Sequence, residues 1–268
     1  MGNTVNDVIQ YMDQLAPLKT ALEWDNSGLL IGERDNPVKR ILASLDCTDR
    51  AVDEAVSLGV DMIITHHPLI FNSIKSITSD TALGRRIIKL IRGRVALLCA
   101  HTNLDMAEGG VNDILFDALG LAEKSPLMPD GTDEAGLGRV GELSSPMRLE
   151  DLASFVGSRL RLKHTRYIGD PDTMIYKAGL LCGSGSAVKY FAAAAASGCQ
   201  AYITGDIKYH DAQAALDLGL CLIDATHYAS EAPVVEYLCG YLREGFPEMI
   251  IHAAKSSLGM EGQFGYND

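Results

Sequence analysis

Two stretches of the chain repeat the same order of elements at the same internal spacing. That repetition limits the fold more than any other feature. In the first, the helical pattern "RAVDEAVSL" ends at Gly59, "VDMIIT" reads as a buried strand, "ALGRRIIKLIR" as a helix closed by Gly93, and "RVALLCAH" as a strand. In the second, "SAVKYFAAAAAS" ends at Gly198, "CQAYIT" is a strand, "HDAQAALDL" ends at Gly219, and "LCLIDATH" is a strand. Gly59 to Thr65 has the spacing of Gly198 to Thr204, and Gly93 to His101 that of Gly219 to His227. Each of these histidines is followed four residues later by an acid, Asp105 and Glu231. Helices alternating with continuous apolar runs point to a layered α/β fold with buried strands. Helix–glycine–strand repetition alone is common, but the shared His-x-x-x-acid ending argues for duplication. The expectation is two related α/β lobes, mixed sheets flanked by helices, with a metal site between them.

Val5, Val8, Ile9, Met12 and Leu15 recur at helical spacing and predict an opening amphipathic helix. "GLLIG", "RILASLD" and "AGLLCGS" (178–184) read as further strands, and Thr48 or Asp49 can cap the helix that Gly59 ends. Residues 125–147, rich in Gly, Pro, Ser and acids, read as a boundary or surface loop, after which "RLEDLASFVGSRL" resumes a helix. "APVVEYLCGYLREG" and "EMIIHAA" predict a last helix and strand that return to the first lobe. The domains expected are therefore 1–126 plus 232–268, and 127–231. The tail 259–268 has little to pack and reads as frayed or partner-bound.

A formal charge of −12 removes the cationic face that non-specific nucleic-acid binding needs, while favouring the gathering of divalent cations. The six cysteines are scattered through apolar runs with no CxxC, which reads as free thiols in a reducing cytoplasm. The N-terminus lacks the apolar core of a signal peptide, and no stretch approaches membrane-spanning length.

Chemistry gathers after the strands. In "THHPLIF", Pro68 ends the strand, so that His66 and His67 can splay towards one site instead of opposite faces. Both His-x-x-x-acid pairs also follow strands, where open α/β sheets place ligand sites. His66, His67, Asp105, His227 and Glu231 together suit two borderline divalent ions, Zn, Fe, Mn or Co, bridged by a carboxylate. Asp105 has a second reading, as the cap of a helix through "MAEGGVNDILFDAL", and Glu231 as a first-turn acid. His101 is either the counterpart of His227 or an orienting residue behind the ligands. "TGDIKYHDA" places Asp206, Lys208 and His210 near the expected cleft, with Lys208 and His210 as candidates for contact with substrate; Lys208 either meets a phosphate or simply snorkels from a helix start. "LCGSGSAVKYF" reads either as a weak phosphate loop or as a strand-to-helix turn with a serine cap.

Together "WDNSGLLIG", "THHPLIF", "HTNLD", "GLGRVGEL" and "ITGDIKYHDAQAALDLGLCLIDATHYASE" resemble the GTP cyclohydrolase I type 2 homologs, or NGG-one-interacting-factor-three-like proteins. The resemblance runs from about residue 5 to 255 and is to the compact form, without the domain that longer members insert. It implies a dinuclear metal site whose ligand positions match His66, His67, Asp105, His227 and Glu231. It also implies a ring-shaped homohexamer. The family name implies water attack at C8 of GTP and release of formate, with metal-activated water as the attacking group. A hydrolase of a nucleotide or related small molecule is therefore one expectation. A non-catalytic, metal-dependent binding or regulatory protein is the alternative, and metal storage or trafficking a third.

Overall fold

The computed structural model describes residues 2–131 and 135–255. The expected tail 259–268 lies outside the described residues. The chain forms two compact units, the first running to Ala107 and resuming at Val234, the second running from Glu108 to Pro233.

The first unit opens with α1 (Val5–Leu15), whose Val5, Val8, Ile9 and Met12 are buried, as their spacing requires. Thr4 accepts from the Asp7 amide while Asp7 accepts from the Thr4 amide, a reciprocal cap at the helix start. Strands β1 (Gly28–Ile31) and β2 (Arg40–Ser44) precede α2 (Asp49–Leu58), which Thr48 caps and left-handed Gly59 ends. Then follow β3 (Met62–Thr65), α3 (Ala82–Gly93), β4 (Ala96–Cys99) and the short α4 (Thr102–Met106). The sheet order is β1-β4-β3-β2-β11, where β11 (Ile250–Ala253) follows the unit's last helix. β2, β3, β4 and β11 run parallel and β1 runs antiparallel to β4. Leu42, Ile63 and Leu97 of the parallel strands pack with Val52, Ala55 and Leu90 of α2 and α3.

The second unit begins with α5 (Val111–Ala118), β5 (Ala122–Pro129), β6 (Gly136–Arg148), α6 (Leu149–Arg159) and β7 (Arg166–Ile168). It continues with β8 (Met174–Leu180), α7 (Val188–Ala196), β9 (Ala201–Thr204), α8 (Tyr209–Asp217), β10 (Cys221–Asp224) and α9 (His227–Glu231). The chain then enters α10 (Val234–Gly245), which returns it to the first unit. The second sheet has the order β5-β6-β8-β9-β10-β7, with β8, β9 and β10 parallel and β7 antiparallel to β10.

The duplication is plain in the two sheets. β7-β10-β9-β8 repeats β1-β4-β3-β2, with the same strand directions and the same chain order. Thr65 pairs with Cys99 as Thr204 pairs with Asp224, and the amides of Ala100 and Ala225 donate to Thr65 and Thr204.

One detail departs from the glycine spacing. Gly219 is left-handed at φ 72°, but in the first unit that conformation falls on Arg94, φ 53°, one residue after Gly93. In sheet register His101 therefore matches Thr226, and His227 matches Thr102. Equal spacing from a glycine concealed a one-residue offset.

Residues 125–147, expected as a loop, belong largely to the long β5–β6 hairpin. Their glycines serve close packing: a Cβ on Gly141 would lie 2.3 Å from the Phe116 ring, and left-handed Gly138 would strike the Leu180 carbonyl. Pro126 and Pro129 sit on β5, the edge of the sheet, where a missing N–H is tolerated. β8 starts and ends earlier than the apolar run 178–184, because the chain turns at left-handed Gly183.

All six cysteines are buried free thiols. Burial pushes Cys47 up to about 12 and Cys199 and Cys239 to about 11. Native protein should therefore react with none of its thiols at neutral pH, and with all six once denatured. Ellman titration checks this, and a rapid native thiol would contradict the packing.

Candidate metal centre

Every candidate ligand follows the carboxyl end of a strand. β3 ends at Thr65, and the next residues are His66 and His67, whose amides donate to Ser44 and Leu45 across the sheet edge. The two imidazole centroids lie 5.0 Å apart, tilted by 43°. His101 follows β4 and lies 5.3 Å from His66 and 5.8 Å from His67. One ring nitrogen from each of these three histidines lies within 4.8 Å of the others, a spacing that can hold a metal ion.

Asp105, on α4, places Oδ1 3.6 Å from His66 Nε2. The single helix expected through "MAEGGVNDILFDAL" is in fact two, α4 and α5, separated at Ala107–Gly110. Asp105 caps neither: His101 precedes α4, and Gly110 precedes α5 without a side-chain cap.

In the second unit, His227 opens α9 and Glu231 closes it, one helical turn apart, with Nε2 and Oε2 separated by 3.1 Å. Glu231 is buried and is not a first-turn acid of α10. Gly183, at the turn after β8, leaves the space the pair occupies. A Cβ on Gly183, φ +63°, would fall 2.1 Å from Glu231 Oε1 and 3.2 Å from His227 Nε2. The chain reaches His227 through Thr226, a β-branched residue at φ 56°, ψ 153°. Such a conformation costs on the order of 1–3 kcal/mol and persists where neighbours hold it. Here the Thr226 amide donates to Asp224, and its hydroxyl accepts from the Ala229 amide.

The four imidazoles share one arrangement. Nδ1 of His66 lies 2.9 Å from the Ala100 carbonyl. Nδ1 of His67 lies 2.8 Å from Asp46, that of His101 2.7 Å from Asp25, and that of His227 2.7 Å from Asp206. An acceptor at Nδ1 places the proton there and leaves Nε2 with its lone pair, the tautomer a metal requires. Asp46 stands two residues beyond β2 and Asp206 two residues beyond β9, the counterpart of β3, so the two units reach the same support from different strands. Asp25 is held most tightly. Burial pushes its carboxyl up, but hydrogen bonds from His101, Thr102 and Ser27 outweigh this and hold it well below the usual carboxylate range. Asp25, Asp46 and Asp206 all lie within stretches quoted above, "WDNSGLLIG", "RILASLD" and "TGDIKYHDA", but their pairing with the imidazoles was not expected.

The Gly-rich turn after β8 offers no open phosphate cradle at its two central amides. Gly183 N–H donates to Ser230 Oγ and Gly185 N–H to Thr204 Oγ1. Nor is there a serine cap: Ala187 precedes α7, and Ser186 bonds Asp211. Lys208 precedes α8 and is exposed, and His210 pairs with Gln213.

Fold and site define a class: a duplicated α/β protein carrying imidazole–carboxylate clusters at its strand ends. The Duf34/NIF3 (NGG1p interacting factor 3) family model matches residues 3–258. The chain belongs to that family. It is 39% identical over 236 residues to a Clostridium perfringens protein named GTP cyclohydrolase 1 type 2 homolog, covering 86% of this chain and 88% of that one. A protein of the same name from Clostridium acetobutylicum is 36% identical, covering 94% of each chain. Among solved structures, a hypothetical protein from Staphylococcus aureus superposes with a TM-score of 0.89 at 32% identity, covering 96% of this chain and 98% of that one. No helix among the described residues is long and apolar enough to cross a membrane.

Proposed function

We propose that His66, His67, His101, Asp105, His227 and Glu231 hold two divalent ions of the Zn, Fe, Mn or Co type. In this reading the protein is a hydrolase of a nucleotide or related small molecule. The observation that carries it is the common state of the imidazoles, each fixed through Nδ1 so that Nε2 keeps its lone pair. A structural histidine needs no such uniformity. The donor set, imidazole with carboxylate, suits borderline transition ions better than Mg or Ca. His101 joins the five ligands expected from sequence because its nitrogen clusters with those of His66 and His67.

When bound, such ions would supply Lewis acidity and water activated near neutral pH. The chain's own contribution is orientation. Asp46, Asp25 and Asp206 hold the rings, and Gly183 leaves room for the Glu231 carboxylate. The relatives' name, GTP cyclohydrolase 1 type 2 homolog, makes purine-ring opening the first activity to test. A homohexamer acting in the reducing cytoplasm, where six thiols stay free, completes the proposal.

Elemental analysis of purified protein should find two ions per chain, and a nucleotide and phosphoester screen should find metal-dependent turnover. Tight binding of two ions without turnover of any such compound would instead favour a metal-dependent binding or regulatory protein. In that case, a partner should be captured by wild type and lost with His67→Ala.

A further inference from the structure

Beside the imidazoles, the first unit exposes two aromatic rings that the core does not use. Trp24 is 59% exposed and Phe71 is 50% exposed. Their centroids lie 6.0 Å apart at 58°, and each meets the His101 ring edge-on, at 6.2 and 6.5 Å. Leaving two large rings in water forgoes the burial that normally stabilises them, and such a placement marks a contact surface.

The rings are presented on pinned backbone. Asp25, next to Trp24, is locked by His101, Thr102 and Ser27. Asn26 Nδ2 donates to the carbonyl of Ile70, the residue before Phe71. This tie joins the segment before β1 to the segment after β3. The antiparallel pairing of Gly28 with Cys99 brings the first of these alongside the end of β4, and hence to His101. The same short network therefore orients one imidazole and fixes both rings beside it.

We propose that Trp24 and Phe71 form an aromatic recess that takes the face of a planar heteroaromatic ring and so sets the substrate class, a nucleobase-containing compound. The proposal rests on the metal-dependent reading above for what happens to the bound ring, but not for the binding itself. A ring laid on the open face of Trp24 meets the tilted Phe71 at its edge, an arrangement aromatic groups favour. Both rings stand within 6.5 Å of the His101 ring, so a substituent of a base stacked on them has a short path to the imidazole cluster. Stacking of this kind tolerates different bases, since each offers a π-face.

Trp24 is the chain's single tryptophan, so its emission reports this recess alone. In the metal-loaded full-length protein, guanosine 5′-monophosphate should quench that emission saturably, and ribose 5-phosphate at equal concentration should not. Phe71→Ala should weaken the quenching about tenfold, the scale of one base–aromatic stack, with metal content unchanged. Equal quenching by ribose 5-phosphate, no saturable quenching, or an unaltered response in Phe71→Ala would overturn the proposal. Emission that shifts with protein concentration alone would also overturn it, by showing that a second copy covers the rings. Saturable quenching in protein that binds no metal would leave the recess standing and remove the hydrolase reading instead.

Discussion

Arg139→Ala should lower the stability of the second unit by about 3–5 kcal/mol, the loss expected when one partner of a buried ion pair is removed. Arg139 has no exposed surface, and its Nε donates to Asp113, itself 2% exposed. Its Nη1 also donates to the carbonyls of Gly136 and Gly138, at 2.6 and 2.7 Å. The arginine thus anchors the start of β6 to α5 and satisfies the carbonyls of Gly136 and Gly138, both at positive φ. Truncation leaves the Asp113 carboxylate, among the described residues, with Lys124 at 3.3 Å and the Gly109 amide, and it opens a large cavity. A thermal midpoint lower by roughly 10 °C is expected for a chain of this size. Arg139→Met combined with Asp113→Leu should recover much of the loss, because paired apolar replacements remove the stranded charge. A single variant that melts like wild type would show that the pair contributes nothing net.

That ion pair was invisible in the sequence, and the reason generalises. Periodicity reports which face of a segment is buried, so α1, α2, α3, β3 and β4 could be placed from Val5, Val8, Leu90 or the run Met62–Ile64. Caps report locally too: Thr48 and Gly59 bracket α2 as read. The β5–β6 hairpin failed because Gly136, Gly138 and Gly141 signal a loop to any local rule. Their demand for glycine comes instead from Leu180 and Phe116, far away in the chain. β7 is a three-residue strand, too short to carry a period, and its pairing with β10 alone defines it.

The site divides along the same line. His66, His67, His101 and His227 could be found because histidines after apolar strands are locally conspicuous. Asp25 and Asp46 could not. One reaches His101 only because β1 runs antiparallel to β4, and the other reaches His67 only because β2 neighbours β3. Matching His101 to His227 by glycine spacing was one residue out, because Arg94 takes the left-handed turn that Gly219 takes in the repeat.

The proposed centre makes its largest prediction for thermal stability. Ions that bind only the folded chain should stabilise it by about 4 kcal/mol when free metal exceeds the dissociation constant a thousandfold, and chelation should remove that gain. His66→Ala and Glu231→Gln should each abolish most of the metal-dependent rise in melting temperature. Gly183→Ala should act like Glu231→Gln although glycine has no ligand atom, because its Cβ would lie 2.1 Å from Glu231 Oε1. The contrast matters, since a general destabilisation would lower the melting temperature with and without metal alike. Loss of the ligand position lowers chiefly the metal-dependent part. Calorimetry of each variant, chelated and then reloaded, separates the two. A wild-type melting temperature indifferent to every candidate ion would end the dinuclear reading. Half-sized shifts surviving in each ligand variant would divide the centre into two independent sites, one in each repeat.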